Sequence, residues 1–202
     1  MRRIDGIVGN RYDDSELDEQ VMAHEDAGTL ERVVLEAAER RKSRLRVETD
    51  SGTDLGVLVE YQYAATAIGA RWLILDVGAT ATDQRSVTIE RQRVFVRTPA
   101  GRRVPLASQA EFSQAYSDLR IGLRRANVLQ NATYSFPATR RPCRFDFYSV
   151  PGAGVTFDSV WINDKRVCYE RLLFDVPGGV VPGRWMLGID LEESDLRIPF
   201  QL

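Results

Sequence analysis

Two alternating runs sit on either side of a turn signal near residue 50. Leu45, Val47 and Thr49 alternate with Arg44, Arg46 and Glu48, a period of two that suits a half-buried strand. Asp50-Ser51-Gly52 follows, offering a side chain that can close a turn on its own backbone and a glycine for positive φ. Leu55, Val57 and Val59 then resume the alternation. The stretch predicts a β-hairpin with one apolar and one charged face. Upstream, Ile4, Ile7 and Val8 suggest a strand ended by Gly9-Asn10, and Ser15 with Asp18 has the spacing of a capping box. Leu17, Val21 and Met22 follow at helical spacing, so a short helix to about Glu25 is expected. From Thr29, propensity alone favours a helix over residues 31–42, because EAAERRK is built of strong helix formers.

Beyond Tyr61 the pattern changes to short strands. Residues 72–77 (WLILDV) form the apolar run of a buried strand. Residues 86–90 and 94–97 alternate and end at Thr98-Pro99-Ala100-Gly101, a strong turn signal. Residues 108–125 predict the one clear helix of this half. Phe112, Tyr116, Leu119 and Leu123 recur on one face, Ser108 and Glu111 form a capping box, and Arg120, Arg124 and Arg125 sit near the C-terminal end. Cys143, Phe145 and Phe147 share one face of an expected strand stopped by Pro151-Gly152. Further strands are expected at 157–163, 167–176, 185–191 and 197–202, separated by Asn-Asp or Pro-Gly turns. Strands at intervals of roughly 8–12 residues with such turns are the pattern of a β-sandwich.

Charge sharpens the division. Residues 1–60 carry 9 Lys or Arg against 15 Asp or Glu, whereas residues 61–202 carry 18 against 14. Opposite charge balances and different textures predict two domains, residues 1–60 and 61–202. An apolar fraction of 44% is enough for an ordinary core, and a net charge of −2 argues for neither nucleic acid nor membrane as partner. Asp5 and Asn10 interrupt what would be the apolar stretch of a signal peptide. The most apolar window, residues 66–81, carries Arg71 and Asp76 and is too short to span ~30 Å of hydrocarbon. A soluble, cytoplasmic protein is expected.

Residues 40–59, with ERVVLEA before them and the opening MRRIDGIVGN, resemble the N-terminal domain of UreE-type urease accessory proteins, particularly the acidic haloarchaeal ones. The resemblance covers about the first 60 residues. It implies a β-rich domain with a protein-contact role, and it makes residues 32–35 a strand followed by at most two helical turns over 36–42. The acidic first half fits it, since dense carboxylates keep a surface hydrated at high salt. In that family a following ferredoxin-like domain binds nickel through a histidine. Residues 61–202 contain no histidine, so the resemblance does not carry over metal delivery. Residues 61–202 resemble, in texture, Ig-like sandwich domains of exported bacterial proteins, the closing GRWMLGIDLEESDLRIPFQL most of all.

Candidate chemistry is sparse. The single histidine, His24, lies beside Glu25-Asp26 and far in sequence from both cysteines, so a zinc site or a nucleophile–histidine arrangement would have to rest on it alone. Gly152-Ala153-Gly154 lacks the third glycine and the following helix of a dinucleotide loop. Cys143 and Cys168 could pair across a sandwich or stay reduced as small buried hydrophobes. Asn131-Ala132-Thr133 fits a glycosylation acceptor only in a secretory setting, Arg140-Arg141 with Arg144 reads as a solvated face, and Trp72, Trp161 and Trp185 read as core. The expectation is a mainly β protein: a small UreE-like β domain followed by an Ig-like sandwich with one inserted helix. Its expected role is non-enzymatic protein binding, with no catalytic, cofactor-binding or metal-ligating residue and no cofactor. The expected partners are urease or its accessory proteins. The alternative is an exported sandwich that binds a protein or glycan, and an enzyme using scattered carboxylates is a third, weaker reading.

Overall fold

The structure is a computed structural model that describes residues 47–51, 54–82, 85–129 and 140–202. All belong to one compact unit, Ser43–Leu202. The expected strand at 3–8, the helix at 15–25, the segment 32–42, His24, Gly52 and Asn131 lie outside the described residues.

The chain is mainly β. A five-stranded sheet has the order β1 (Val47–Ser51), β2 (Leu55–Glu60), β3 (Trp72–Ala81), β9 (Arg166–Asp175), β7 (Arg141–Arg144). A four-stranded sheet has the order β11 (Asp195–Gln201), β10 (Arg184–Asp190), β5 (Val94–Arg97), β6 (Arg103–Pro105), and β4 (Ser86–Glu90) pairs with β8 (Ser159–Asn163) in a separate ribbon. Every pairing is antiparallel except β7 with β9. A five-residue helix α1 (Gln62–Thr66), not foreseen from sequence, follows β2, and α2 (Gln109–Leu129) connects β6 to β7.

The hairpin forms with its turn displaced. Asp50 and Ser51 lie inside β1, opposite Val57 and Gly56, so the chain reverses after them and not through them. β2 in turn pairs with β3 from Leu55↔Ala81 to Glu60↔Asp76. The boundary expected after Glu60 therefore falls between two strands that are hydrogen-bonded side by side.

Alternation builds the core. Leu55, Val57 and Val59 of β2, Leu73, Leu75 and Val77 of β3, and Leu172 and Phe174 of β9 point to one side of the five-stranded sheet. They meet Val94 and Val96 of β5, Leu187 and Ile189 of β10, and Ile198 and Phe200 of β11 in a single apolar cluster. Tyr61, at the end of β2, reaches across to Phe200 with ring centroids 5.2 Å apart. The ribbon adds Ile89 and Ile162 to the same core.

Two expectations are corrected. The strand foreseen through Phe147 stops at Arg144, because Asp146 takes a positive φ of 55° that no strand tolerates. Phe145 and Phe147 are still buried, as neighbouring rings 5.3 Å apart. Trp161 is not a core residue: it lies on the outward face of β8, 50% exposed, with the Arg166 guanidinium 5.5 Å above its ring. Trp185 is buried, and its indole N–H donates to the Val181 carbonyl at 2.9 Å.

Candidate functional site

α2 begins with the capping box foreseen from sequence. The Ser108 N–H donates to Glu111 Oε2 at 2.7 Å, and the Glu111 N–H donates to Ser108 Oγ at 3.2 Å. Phe112, Leu119 and Ala126 recur every seven residues and bury against Ile74 of β3 and Leu173 of β9, on the outward side of the five-stranded sheet. Gly122 permits the close approach. A Cβ there would stand 2.8 Å from the Tyr63 hydroxyl and 3.3 Å from Ile74 Cδ1.

Beside the helix the same sheet face turns polar. The register aligns Glu60, Asp76 and Arg171 across β2, β3 and β9, and next to them Leu58, Gly78, Tyr169 and Arg144. Arg171 Nε donates to Asp76 Oδ1 at 2.9 Å, with the two side chains only 15% and 11% exposed. Glu60 is buried at the end of the row, and Glu60, Asp76 and Tyr169 each make further interactions. Together with Tyr116, Arg120 and Arg124 from α2, these residues line a groove of about 540 Å³. A buried carboxylate–guanidinium pair is held by charge and hydrogen bonding together. Such a floor recognises polar or charged groups. Among the described residues no cluster of three or more His, Cys, Asp or Glu could hold a metal ion.

Two titratable groups lie close to this site. Burial pushes the Glu170 carboxyl above the usual carboxylate range, and Asp146 adds to the rise. N–H groups of Arg171 and Phe147, with Arg144, pull it back only in part. Burial also raises the Tyr148 phenol, whose hydroxyl donates to the Ala107 carbonyl at 3.0 Å.

The residues singled out from sequence are mostly kept apart. Cys143 and Cys168 form a disulfide, but within one sheet: they are register partners on the parallel strands β7 and β9, with Cα atoms 4.2 Å apart. Of the two alternatives left open by the sequence, pairing across a sandwich or reduced cysteines, neither describes this bond between neighbouring strands. The arginine cluster disperses. Arg140 donates to Thr80 Oγ1 at 2.6 Å, Arg141 is exposed, and Arg144 alone reaches the groove. Asp76 carried a signal that sequence reading passed over, since it interrupts an otherwise apolar strand run; Arg171 follows Glu170 in a mixed strand and carried none.

With the geometry in place, comparison with known proteins adds a class for one part of the chain. Residues 4–62 match the family described as UreE urease accessory protein, N-terminal domain. Over 60 residues the chain is 73% identical to the urease accessory protein UreE of Natronomonas pharaonis, an overlap of 30% of this chain and 28% of that protein. The hairpin β1–β2 lies at the end of the matched segment. No solved structure matches the chain.

Proposed function

We propose that the chain is a non-enzymatic protein-binding module, in which a UreE-like segment, residues 1–60, is joined to an Ig-like β-sandwich, residues 61–202, without the family's metal-binding domain. The observation that carries this reading is the 73% identity over 60 residues to a urease accessory protein. The partner is urease or one of its accessory proteins, and the compartment is the cytoplasm. The charged row and groove beside α2 suit protein contact better than turnover, since no nucleophile–base pair stands among the groove-lining residues. Co-purification of the full chain with urease apoprotein and its accessory proteins tests the reading. Retention of none of them at micromolar concentration overturns it.

Metal delivery is not part of this reading. Tight nickel or zinc binding needs three or four converging ligands, with imidazole or thiolate supplying most of the affinity. The chain has one imidazole, His24, and two cysteines, 143 and 168, more than a hundred positions from it in sequence. Calorimetric titration of metal-free protein is expected to show no stoichiometric nickel site tighter than about micromolar, or ~8 kcal/mol. A tight, saturable site lost in His24→Ala would restore a metallochaperone role.

One observation favours a second reading, an exported sandwich that binds a protein or glycan. The Cys143–Cys168 bond belongs more naturally to an oxidising compartment than to a mesophile cytosol. Acid quenching and alkylation of thiols in intact cells separates the two. Both cysteines alkylated supports the cytoplasmic adaptor, and both protected supports export.

A further inference from the structure

β7 is an edge strand whose own side chains do little to hold it. Of its four residues, Arg141, Pro142 and Arg144 are exposed, and Cys143 alone is partly buried against the core. Its pairing with β9 is parallel and only four residues long, Arg141↔Arg166 to Arg144↔Tyr169, and parallel pairing is the less stable kind per residue. The ladder ends one residue further on, where the Phe145 N–H donates to the Tyr169 carbonyl at 3.4 Å and Asp146 then leaves extended geometry. Phe145 is buried in the core and anchors the C-terminal end of the strand, whereas Arg141–Arg144 themselves have backbone hydrogen bonds and one covalent tie. That tie joins Cys143 to the fully buried Cys168. β9, by contrast, is fixed independently on its other side by the eight-residue register with β3, Trp72↔Asp175 to Ala79↔Cys168.

We propose that the Cys143–Cys168 bond is a redox-sensitive clasp that holds β7 on the sheet, so that its reduction releases β7 and leaves the other four strands in place. The step is a two-electron reduction by a dithiol. A thiolate of the reductant attacks one sulfur, the Cys143–Cys168 bond breaks, both cysteines leave as thiols after taking up protons, and the reductant closes into its own disulfide. Cys143 is the accessible sulfur, since Cys168 is buried. Release has two consequences. The strand frays from Arg141 towards its anchor at Phe145, so that Arg144, at the rim of the groove, is held from one side only. The hydrogen-bonding edge of residues 166–168 becomes free, which is the kind of edge that accepts another strand.

Hydrogen exchange on the full chain, before and after dithiothreitol, with reduction confirmed by mass, tests the clasp. At exchange times of seconds, the amides of Arg141 and Cys143 are expected to exchange at least ~10-fold faster after reduction, Pro142 having no N–H. The Trp185 indole N–H resonance, a reporter of the four-stranded sheet, is expected to stay in place. The double variant Cys143→Ala/Cys168→Val, which removes the tie while filling the buried site, should match the reduced protein. Unchanged exchange at Arg141 and Cys143 in both cases overturns the proposal, because backbone pairing alone would then hold β7. Loss of the Trp185 signal on reduction overturns it as well, because the bond would then secure the whole fold. So does protein isolated without reductant that titrates with two free thiols.

Discussion

The two main sheets each have an outward face to seal, and they do it by different means. On the five-stranded sheet a helix does the work: α2 lays Phe112, Leu119 and Ala126 over Ile74 and Leu173. On the four-stranded sheet no helix among the described residues lies over the matching ring. Phe95 is nonetheless 0% exposed, because it lies flat across Gly188 of the neighbouring strand, its register partner, beneath three arginines. The guanidinium carbons of Arg103, Arg197 and Arg97 stand 3.5, 5.1 and 5.7 Å from the ring centroid. Asp190 locks this lid, accepting from Arg103 at 3.0 Å and Arg197 at 2.5 Å. Arginine stems and guanidinium planes can thus replace a helix where one ring needs cover. A face with several apolar side chains needs the helix.

The largest effect should come from removing the covered ring itself. Phe95→Ala is expected to destabilise by about 4 kcal/mol and Phe112→Ala by about 3, the usual range for buried phenylalanine, measured by urea unfolding. A loss below 1 kcal/mol for Phe95→Ala would mean that the arginine lid closes over the gap and that the two seals are not equivalent. Next comes the polar row beside α2. Arg171→Met leaves Asp76 without its guanidinium at a nearly buried position, and about 3 kcal/mol should be lost. Replacing both residues with leucine should recover most of that loss, and if it does not, the row holds the fold through partners other than this pair.

Gly188→Ala is a finer test of the arginine-covered face. A Cβ at this position would lie 2.3 Å from the Phe95 Cζ atom, so the ring must move against its lid, at about 2 kcal/mol. In a Phe95→Ala background the same substitution should be nearly neutral. Equal effects in both backgrounds would show that the glycine serves the backbone and not the ring.

The smallest effect is in pH. Glu170 is raised in the folded state by burial, so its contribution to stability is full below the unfolded value of about 4.3 and is lost as pH rises through its folded pKa. Asp190 is pushed up by burial, but hydrogen bonds from Arg103 and Arg197 outweigh this and leave it lowered. Asp175 is lowered by its hydrogen bond from Arg71. Their contributions are present above about pH 3.9 and fade as pH falls through their folded pKa values. Both are partly exposed, so each should amount to less than ~1 kcal/mol. Stability should therefore rise as pH falls through the folded pKa of Glu170 towards about 4.3 and fall again at lower pH. Glu170→Gln should abolish the rise and leave the acid-side fall, as read from urea midpoints across that range.

The helix-covered face was the more legible of the two in sequence. The period of Phe112, Tyr116, Leu119 and Leu123 and the Ser108–Glu111 box placed α2 within a few residues, because helical spacing and capping are local. The strands over 86–90 and 94–97 were equally plain for the same reason. What escaped notice depends on register. Phe95 looked like one more alternating aromatic, and nothing local says that Gly188, 93 positions later, will lie beneath it. The row of Glu60, Asp76 and Arg171 is likewise assembled from three strands. The strand expected through Phe147 failed at one backbone angle, that of Asp146, which alternation cannot register. The pairing of Cys143 with Cys168 needed the knowledge that β7 and β9 are parallel neighbours.

The hairpin carries a last consequence, for how such a chain could be cut. β2 ends at Glu60 and the matched segment at residue 62, yet β2 pairs with Asp76–Ala81 of β3. A chain starting after residue 62 would present that part of β3 with an open hydrogen-bonding edge, the kind of edge that recruits other chains into aggregates. The last strand of the matched segment thus guards that edge of β3. Truncations designed for expression should keep β1 and β2, whatever is removed before Ser43.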